Sequence, residues 1–554
     1  MSQIERAPDR YSSVAEKKST GATYTPTRLA EFVADRMLAH ARFIDGQRLR
    51  LLDPSVGHGE LLVALVQRLG RPVTVYGFDT DPVALEIARQ RMEKHCPEVE
   101  CKFVVGSFLD HVLSDFLGGL FGTEQRYDLV IANPPYVRTQ IIGTEQSRRL
   151  ATQFGLAGRV DLYHAFLLGM ARVLAPEGIA GFIVSNRFMT TKGGASARSG
   201  LMNDLNLREI YDLGDTKLFD AAVLPAVIIA TGQATESSTP AFSTIYQAKR
   251  EAASNATDPI DALSSNGFVG VPDGRTFEVK HGKLDVSGDA SSIWRLASDQ
   301  LEDWLSTVAQ NTWGQFKDIG KVRVGVKTCA DKVFLPKEWD DDLELHRPLT
   351  THHTARRFRP MPPNRKILYP HEAADRGKRA VELDRFPKSK AYLERHRATL
   401  EARSYVIEAG REWYEIWVPQ NPSEWPMPKL VFRDISERPT FWMDLDGTVV
   451  NGDCYWLTGD PSLLWLALAV ANSTFIEHYY DNRFNNKLYA GRRRFITQYV
   501  EQFPLPDPNR AVSKEIVDAC RALYSALVEG PQPDKEKELD AMVWGAFGLS
   551  VEEI

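Results

Sequence analysis

Cysteine is scarce. Five residues in 554, Cys96, Cys101, Cys329, Cys454 and Cys520, are scattered without a CxxC pair. That spacing offers neither a disulfide framework nor a zinc site, so reduced structural thiols and no metal are expected. Long apolar runs are missing too. The longest, around Leu463 to Val470, falls well short of the roughly 18 residues that cross a bilayer, and the opening MSQIERAPDR is too charged for a signal peptide. A cytoplasmic protein with no membrane partner is expected. No period of roughly 20 to 50 residues recurs, which excludes a repeat array. Disorder is excluded as well, because 43% of the chain is hydrophobic and only 25% charged. A length of 554 residues exceeds what one core organises and implies several domains.

Charge is unevenly spread. The net charge is -6, yet His346 to Arg411 holds 16 Lys and Arg against 7 Asp and Glu. NRFNNKLYAGRRR, residues 482–494, adds five basic residues and no acid, interleaved with Phe484 and Tyr489. A solvated face explains one such run. Two in one half of the chain, with aromatics among them, suggest a polyanionic partner, and phosphate contacts are expected from the basic region and from Arg492 to Arg494.

The first 235 residues alternate β-branched runs with longer amphipathic ones: LRLLDPS, ELLVALVQRLG, VTVYGFD, PVALEIARQRMEK, CKFVVG and YDLVIAN. Such alternation predicts an α/β fold with a parallel sheet covered by helices on both faces. Residues 236–305, rich in Ser, Ala and Asn, read as a bridging segment. Residues 306–505, with many aromatics and prolines, read as a mixed α/β region. Residues 506–554 read as a helical tail, with apolar positions at Ile516, Ala519, Cys520 and Leu523.

LLDPSVGHG sets a glycine turn between a predicted strand and a predicted helix, where an α/β sheet binds a nucleotide-like ligand. Gly57 and Gly59 let the backbone approach that ligand, and Asp53 at the strand end is placed to accept from a cationic ammonium. Asp79, ending the next strand, suits a ribose. Glu60 opens the helix where a pyrophosphate would otherwise sit, so a nucleoside without phosphates fits better. The fourth strand ends YDLVIANPPYV. Two prolines bias Asn133 away from the helical region and hold its carboxamide and the Pro134 carbonyl fixed as two acceptors. That array suits an exocyclic amino group, with Tyr136 offering a π-face to the attached heterocycle.

Taken together, KKSTGATYTP (Lys17 to Pro26), DPSVGHG, Asp79 and Asn133-Pro134-Pro135-Tyr136, in that order, resemble the gamma class of DNA adenine-N6 methyltransferases of restriction-modification systems, in particular the TaqI-like family. GVKTCADKVF, PKLVFRDISERPTFWMD, LLWLALAVANSTFIEHYY and QFPLPDP resemble its C-terminal specificity domain. The resemblance implies a Rossmann-like, S-adenosyl-L-methionine-dependent methyltransferase domain over 1–235 and a mixed α/β target-recognition domain over 306–505. Its implied cofactor-binding set is Thr25 (to the methionine carboxylate), Asp53, Gly57, Gly59, Asp79, Ser107 and Asn133. Its implied catalytic set is Asn133, Pro134, Tyr136 and Phe219, the last in LFDAAVLPAVIIA as a second aromatic against an extruded adenine. Where the family has an Asp beside the cofactor's adenine, this chain has Ser107 in GSFLD, so either that hydroxyl or Asp110 takes the contact. The implied partners are double-stranded DNA and a cognate restriction endonuclease acting on the same site. Other NPPY methyltransferases act on RNA adenine or protein glutamine, and a subunit of an antiphage complex is a reading of another class. The roughly 200 basic, aromatic residues after the catalytic segment favour DNA.

Overall fold

Strands that are apolar at every position need cover on both faces. PAVIIAT, Pro225–Thr231, is buried throughout, and YDLVIA, Tyr127–Ala132, nearly so. The computed structural model describes residues 25–551 apart from 45, 117–125, 137–143, 157–160, 220–223, 235–237, 286–288, 290, 340–341, 376, 485–487 and 489–490. The segment Lys17 to Tyr24 of the opening motif lies outside the described residues. The chain divides into two compact units, one running to Ser298 with Phe484–Gly491, the other comprising Asp299–Arg483 and the chain from Arg492.

The first unit runs α1 (Thr27–His40), β1 (Leu49–Asp53), α2 (Glu60–Leu69), β2 (Val73–Asp79), α3 (Pro82–His95), β3 (Glu100–Val105), α4 (Phe108–Phe116), β4 (Tyr127–Ala132), α5 (Thr144–Phe154), α6 (Leu162–Val173), β5 (Leu174–Ser185), α7 (Ala195–Asp204), β6 (Asn206–Asp212) and β7 (Pro225–Thr231). Strand order is β3-β2-β1-β4-β5-β7-β6, parallel from β3 to β5, with β7 antiparallel between β5 and β6. Side chains alternate across it. Leu51, Leu129, Ile131 and Ile183 face a core with α1, α2 and α3, whereas Leu52, Val130, Ala132 and Phe182 face one with α4, α5, α6 and α7. The sheet is thus doubly wound and Rossmann-like, and its order reverses between β1 and β4. Ligands bind at the carboxyl ends of strands at such a switch point.

Residues 236–305 do not form a separate bridge: those to Ser298 belong to the first unit and those from Asp299 to the second. The former add β8 (Ala241–Ala248), β9 (Ser254–Asn255), β10 (Gly267–Gly270), β11 (Thr276–Leu284) and β12 (Leu296–Ala297) to the same sheet, where β8 pairs β6. The reason is alternation: Phe277 and Val279 of β11 are fully buried between more exposed Glu278 and Lys280, so one apolar face joins the core although the composition is polar.

In the second unit β13 (Arg323–Val324), β16 (Lys429–Arg433), β17 (Phe441–Asp444) and β19 (Cys454–Thr458) form a four-stranded sheet, and β14 (His346–Thr350), β15 (Arg365–Leu368) and β18 (Val449–Val450) a three-stranded one. The predicted tail is helical, α9 (Ala511–Ala526) and α10 (Pro533–Ala546), and belongs to this unit, packing on α8 (Pro461–Ala471). Ile516, Cys520 and Leu523 are fully buried. No helix among the described residues is long and apolar enough to cross a membrane.

Candidate active site

Two strand ends meet at the switch point. Asp53 closes β1 and is 1% exposed. Its Oδ1 accepts the Ser55 N–H at 2.9 Å, and its Oδ2 has no hydrogen-bond partner among the described residues. Burial pushes the carboxyl up to about 8; the Ser55 N–H opposes this, and the nearby Asp79 charge adds to it. A buried acceptor left open at a sheet's carboxyl edge is where a ligand's donor belongs.

The turn after β1 is shaped by its glycines. Gly57 and Gly59 hold φ of 52° and 75°, in the left-handed region. A Cβ on Gly59 would sit 3.1 Å from that of Ala88 on α3. Asp79, ending β2, accepts the Gly57 N–H through Oδ2 at 2.8 Å and the Asp81 N–H through Oδ1 at 2.9 Å. Burial raises its pKa and those two donors restrain it. Each oxygen keeps a lone pair for a hydroxyl. Asp79 therefore braces the turn, a duty its sequence position did not disclose.

At the end of β4 the Asn133 Nδ2 donates to Thr25 Oγ1 at 3.0 Å, and its Oδ1 accepts the Tyr136 hydroxyl at 3.0 Å. Thr25 and Asn133, far apart in sequence, are thus brought together. Pro134 is buried. Tyr136 packs against the core of α5 and α6, 6.3 Å from the Tyr163 ring between centroids, and burial pushes its phenol well above the usual range. Ser107 immediately precedes α4, its hydroxyl accepting the Asp110 N–H at 3.4 Å. Asp110 has a side chain 59% exposed and lies 3.9 Å from Arg149.

Phe219 is not brought to this array. It is 7% exposed and belongs to the buried cluster on the α1–α3 face of the sheet, whereas Tyr136 packs against the cluster on the other face. Phe219 stands between β6 and β7, outside either strand, so no strand alternation in the sequence marks the face on which it lands. Two residues of the tract Arg492 to Arg494 are tied within the protein, while Arg492 is exposed. Arg493 is 12% exposed and pairs with Asp481 at 2.7 Å, while Arg494 pairs with Asp434 at 3.0 Å. These ion pairs hold β-structure and loops within the second unit. In the longer basic region Arg403 is 6% exposed and donates to the carbonyls of Thr328, Trp413 and Glu415, whereas Arg347, Arg356 and Lys388 are exposed.

Thr27 and Arg91, which the motif reading passed over, join Glu60 beside the glycine turn. Thr27 Oγ1 donates to Glu60 Oε1 at 2.6 Å; Arg91 donates to Glu60 Oε2 and, at 2.9 Å, to the His58 carbonyl. Only Glu60 carried a signal, an acid in the first turn after the glycines. No group of His, Cys, Asp and Glu among the described residues is arranged to hold a metal.

Two stretches of the chain match known families. The profile of the Eco57I restriction-modification methylase matches residues 93–219, and that of the TaqI-like C-terminal specificity domain matches residues 377–505. The type II methyltransferase M.BanIII of Aneurinibacillus aneurinilyticus is 37% identical over 97% of this chain and 97% of its own. M.BstVI of Geobacillus stearothermophilus, also a type II methyltransferase, is 23% identical over 96% of this chain and 97% of its own. Among solved structures, the ATP-dependent type ISP restriction-modification enzyme LlaBIII bound to DNA matches 92% of this chain and 39% of its own with a TM-score of 0.51 at 11% identity, a likeness of fold.

Proposed function

Because the chain belongs to the type II methyltransferases of restriction-modification systems, which act on DNA, we propose that it transfers a methyl group from S-adenosyl-L-methionine to adenine N6 in double-stranded DNA. The observation that carries this reading is the adjacency of β1 and β4: one ends in a buried carboxylate with an open acceptor, the other in Asn133-Pro134-Pro135-Tyr136.

The residues fit the donor. Asp53 would hold its α-ammonium, Asp79 its ribose hydroxyls, Thr25 its carboxylate and Ser107 its adenine, with Gly57 and Gly59 giving the backbone room. When bound, S-adenosyl-L-methionine supplies an electrophilic methyl on a sulfonium. The chain's own part is then to make a weak nucleophile attack it. Asn133 Oδ1 and the Pro134 carbonyl accept the two N6 hydrogens, which favours a pyramidal amine and stabilises the positive charge developing on it. The N6 proton passes to water afterwards. Asn133 Oδ1 accepts the Tyr136 hydroxyl through one lone pair and keeps the other for the substrate amine. Extruding the base costs a few kcal/mol; stacking on Tyr136 offsets about 1 to 3 kcal/mol of it.

The TaqI-like specificity match supports DNA over RNA adenine or protein glutamine as acceptor, and the intact catalytic turn supports an enzyme over a cofactor sensor within an antiphage complex. A cognate endonuclease cutting the same site is the partner such a modification implies. The test is transfer of isotopically labelled methyl from S-adenosyl-L-methionine to unmethylated genomic DNA, followed by hydrolysis to nucleosides. Label in N6-methyladenine supports the assignment; label in a methylated cytosine, or none in DNA, refutes it.

A further inference from the structure

Glu60 is puzzling beside a ligand site that already holds Asp53 and Asp79. A third carboxylate there would add to the repulsion, yet its position in the first turn of α2 is favourable to that helix's dipole. The geometry resolves the conflict, because both its oxygens are committed. Oε1 accepts the Thr27 hydroxyl at 2.6 Å and Oε2 accepts from Arg91, both charged side chains being 17% exposed. The other arm of the Arg91 fork donates to the His58 carbonyl at 2.9 Å, in the middle of the glycine turn. Arg91 lies one helical turn after Ala88, against which Gly59 packs so closely that a Cβ would come within 3.1 Å. So α3 touches the turn through Ala88 and ties it through Arg91. On the other side, Thr27 lies two residues from Thr25, which holds the Asn133 carboxamide at 3.0 Å.

We propose that Arg91 is a positioning residue: through Glu60 it joins the Gly57–Gly59 turn to the Thr25–Thr27 segment, so that the donor's loop and the catalytic carboxamide of Asn133 keep one register. Arginine is required because two acceptors, a carboxylate and a carbonyl, lie across one planar fork, which a lysine ammonium does not span. The same bond neutralises Glu60, leaving Asp53 and Asp79 as the carboxyl groups the donor meets. This inference rests on the donor site proposed above.

The full-length protein tests it by calorimetric titration with S-adenosylhomocysteine, which reads binding without turnover. Wild type must bind; if it does not, the donor-site reading itself fails, which is a separate outcome. Given binding, Arg91→Ala is expected to raise Kd roughly tenfold and Thr27→Val roughly threefold, with the double variant no worse than Arg91→Ala, because both act through Glu60. In turnover, KM for S-adenosyl-L-methionine should rise more than kcat falls. Arg91→Lys, which keeps the ion pair and loses the carbonyl, should fall between wild type and Arg91→Ala, and it decides the matter if Arg91→Ala does not fold. Wild-type Kd in Arg91→Lys or in folded Arg91→Ala, or effects of Arg91→Ala and Thr27→Val that simply multiply, would overturn the proposal. So would a lowered melting temperature with unchanged Kd and KM, the mark of a merely structural residue.

Discussion

Lys429 and Asp444 in the second unit are 0% and 3% exposed at the side chain, with their charges 2.8 Å apart. The ammonium also donates to the Trp425 carbonyl, and the carboxylate accepts from Thr448 and from the Asp446 N–H. Burial still draws the lysine below its ordinary range. Asp53 in the first unit is as deeply buried, but one of its oxygens meets nothing among the described residues and its pKa is driven up to about 8. Equal burial thus serves two ends. A buried charge with its partners supplied fixes the arrangement of strands, whereas one with a partner missing marks where something from outside is to bind.

The largest effect that could break this comparison is on catalysis. Asn133→Ala should lower methylation by about 10² to 10³ or more, far more than it weakens S-adenosylhomocysteine binding, as for loss of an acceptor that acts in the transition state. Near-normal turnover would contradict the mechanism. Next comes stability. Lys429→Met leaves Asp444 buried without its cation and should cost about 3 to 5 kcal/mol in denaturant unfolding. Phe219→Ala should cost a similar amount, about 3 to 5 kcal/mol, because the ring is core. A 2-aminopurine reporter at the target base should then respond as with wild type; a brighter flipped-base signal without loss of stability would restore Phe219 to the site.

Asp53→Asn should behave in the opposite sense to Lys429→Met. The folded chain holds a proton on Asp53 up to about pH 8, whereas the unfolded chain releases it near its ordinary carboxylate range. Wild type therefore loses stability as pH rises through that interval, and the asparagine variant lacks that slope. Melting temperatures recorded from pH 5 to 8 compare the two directly. The same change should weaken binding of a cationic donor by about 1.5 to 3 kcal/mol. Smallest is the expected effect of Arg494→Ala on DNA affinity. Its tie to Asp434 predicts an unchanged slope of log K against log salt, where a phosphate contact would remove roughly 0.9.

What the sequence disclosed and what it hid divide along range. Asp53, Gly57, Gly59, Asp79 and the NPPY turn were legible because a strand end and the turn after it are local, and each residue's placement follows from a few neighbours. The partners of Arg493 and Arg494 lie 12 and 60 residues away, so a charge run looked free when it was not. Phe219 lies outside any strand, after β6, and no spacing in the sequence encodes the face on which it lands. Glu60 gave a local hint, but Arg91 lies 31 residues on, and only the packing of α3 against the glycine turn brings the two together. The polar composition of β8 to β12 masked strands whose alternation was nevertheless present, as TFEVKHGKL shows.

The central claim, that the open carboxylate of Asp53 is the docking point for the donor's ammonium, is tested most directly by proton release. S-adenosylhomocysteine is titrated into the protein at pH 7 in two buffers of different ionisation enthalpy. If Asp53 is protonated in the free protein and ionises to meet the ammonium, binding should release about one proton, and Asp53→Asn should both weaken binding and abolish the release. Wild-type binding without proton release, together with unchanged affinity in Asp53→Asn, would contradict the account.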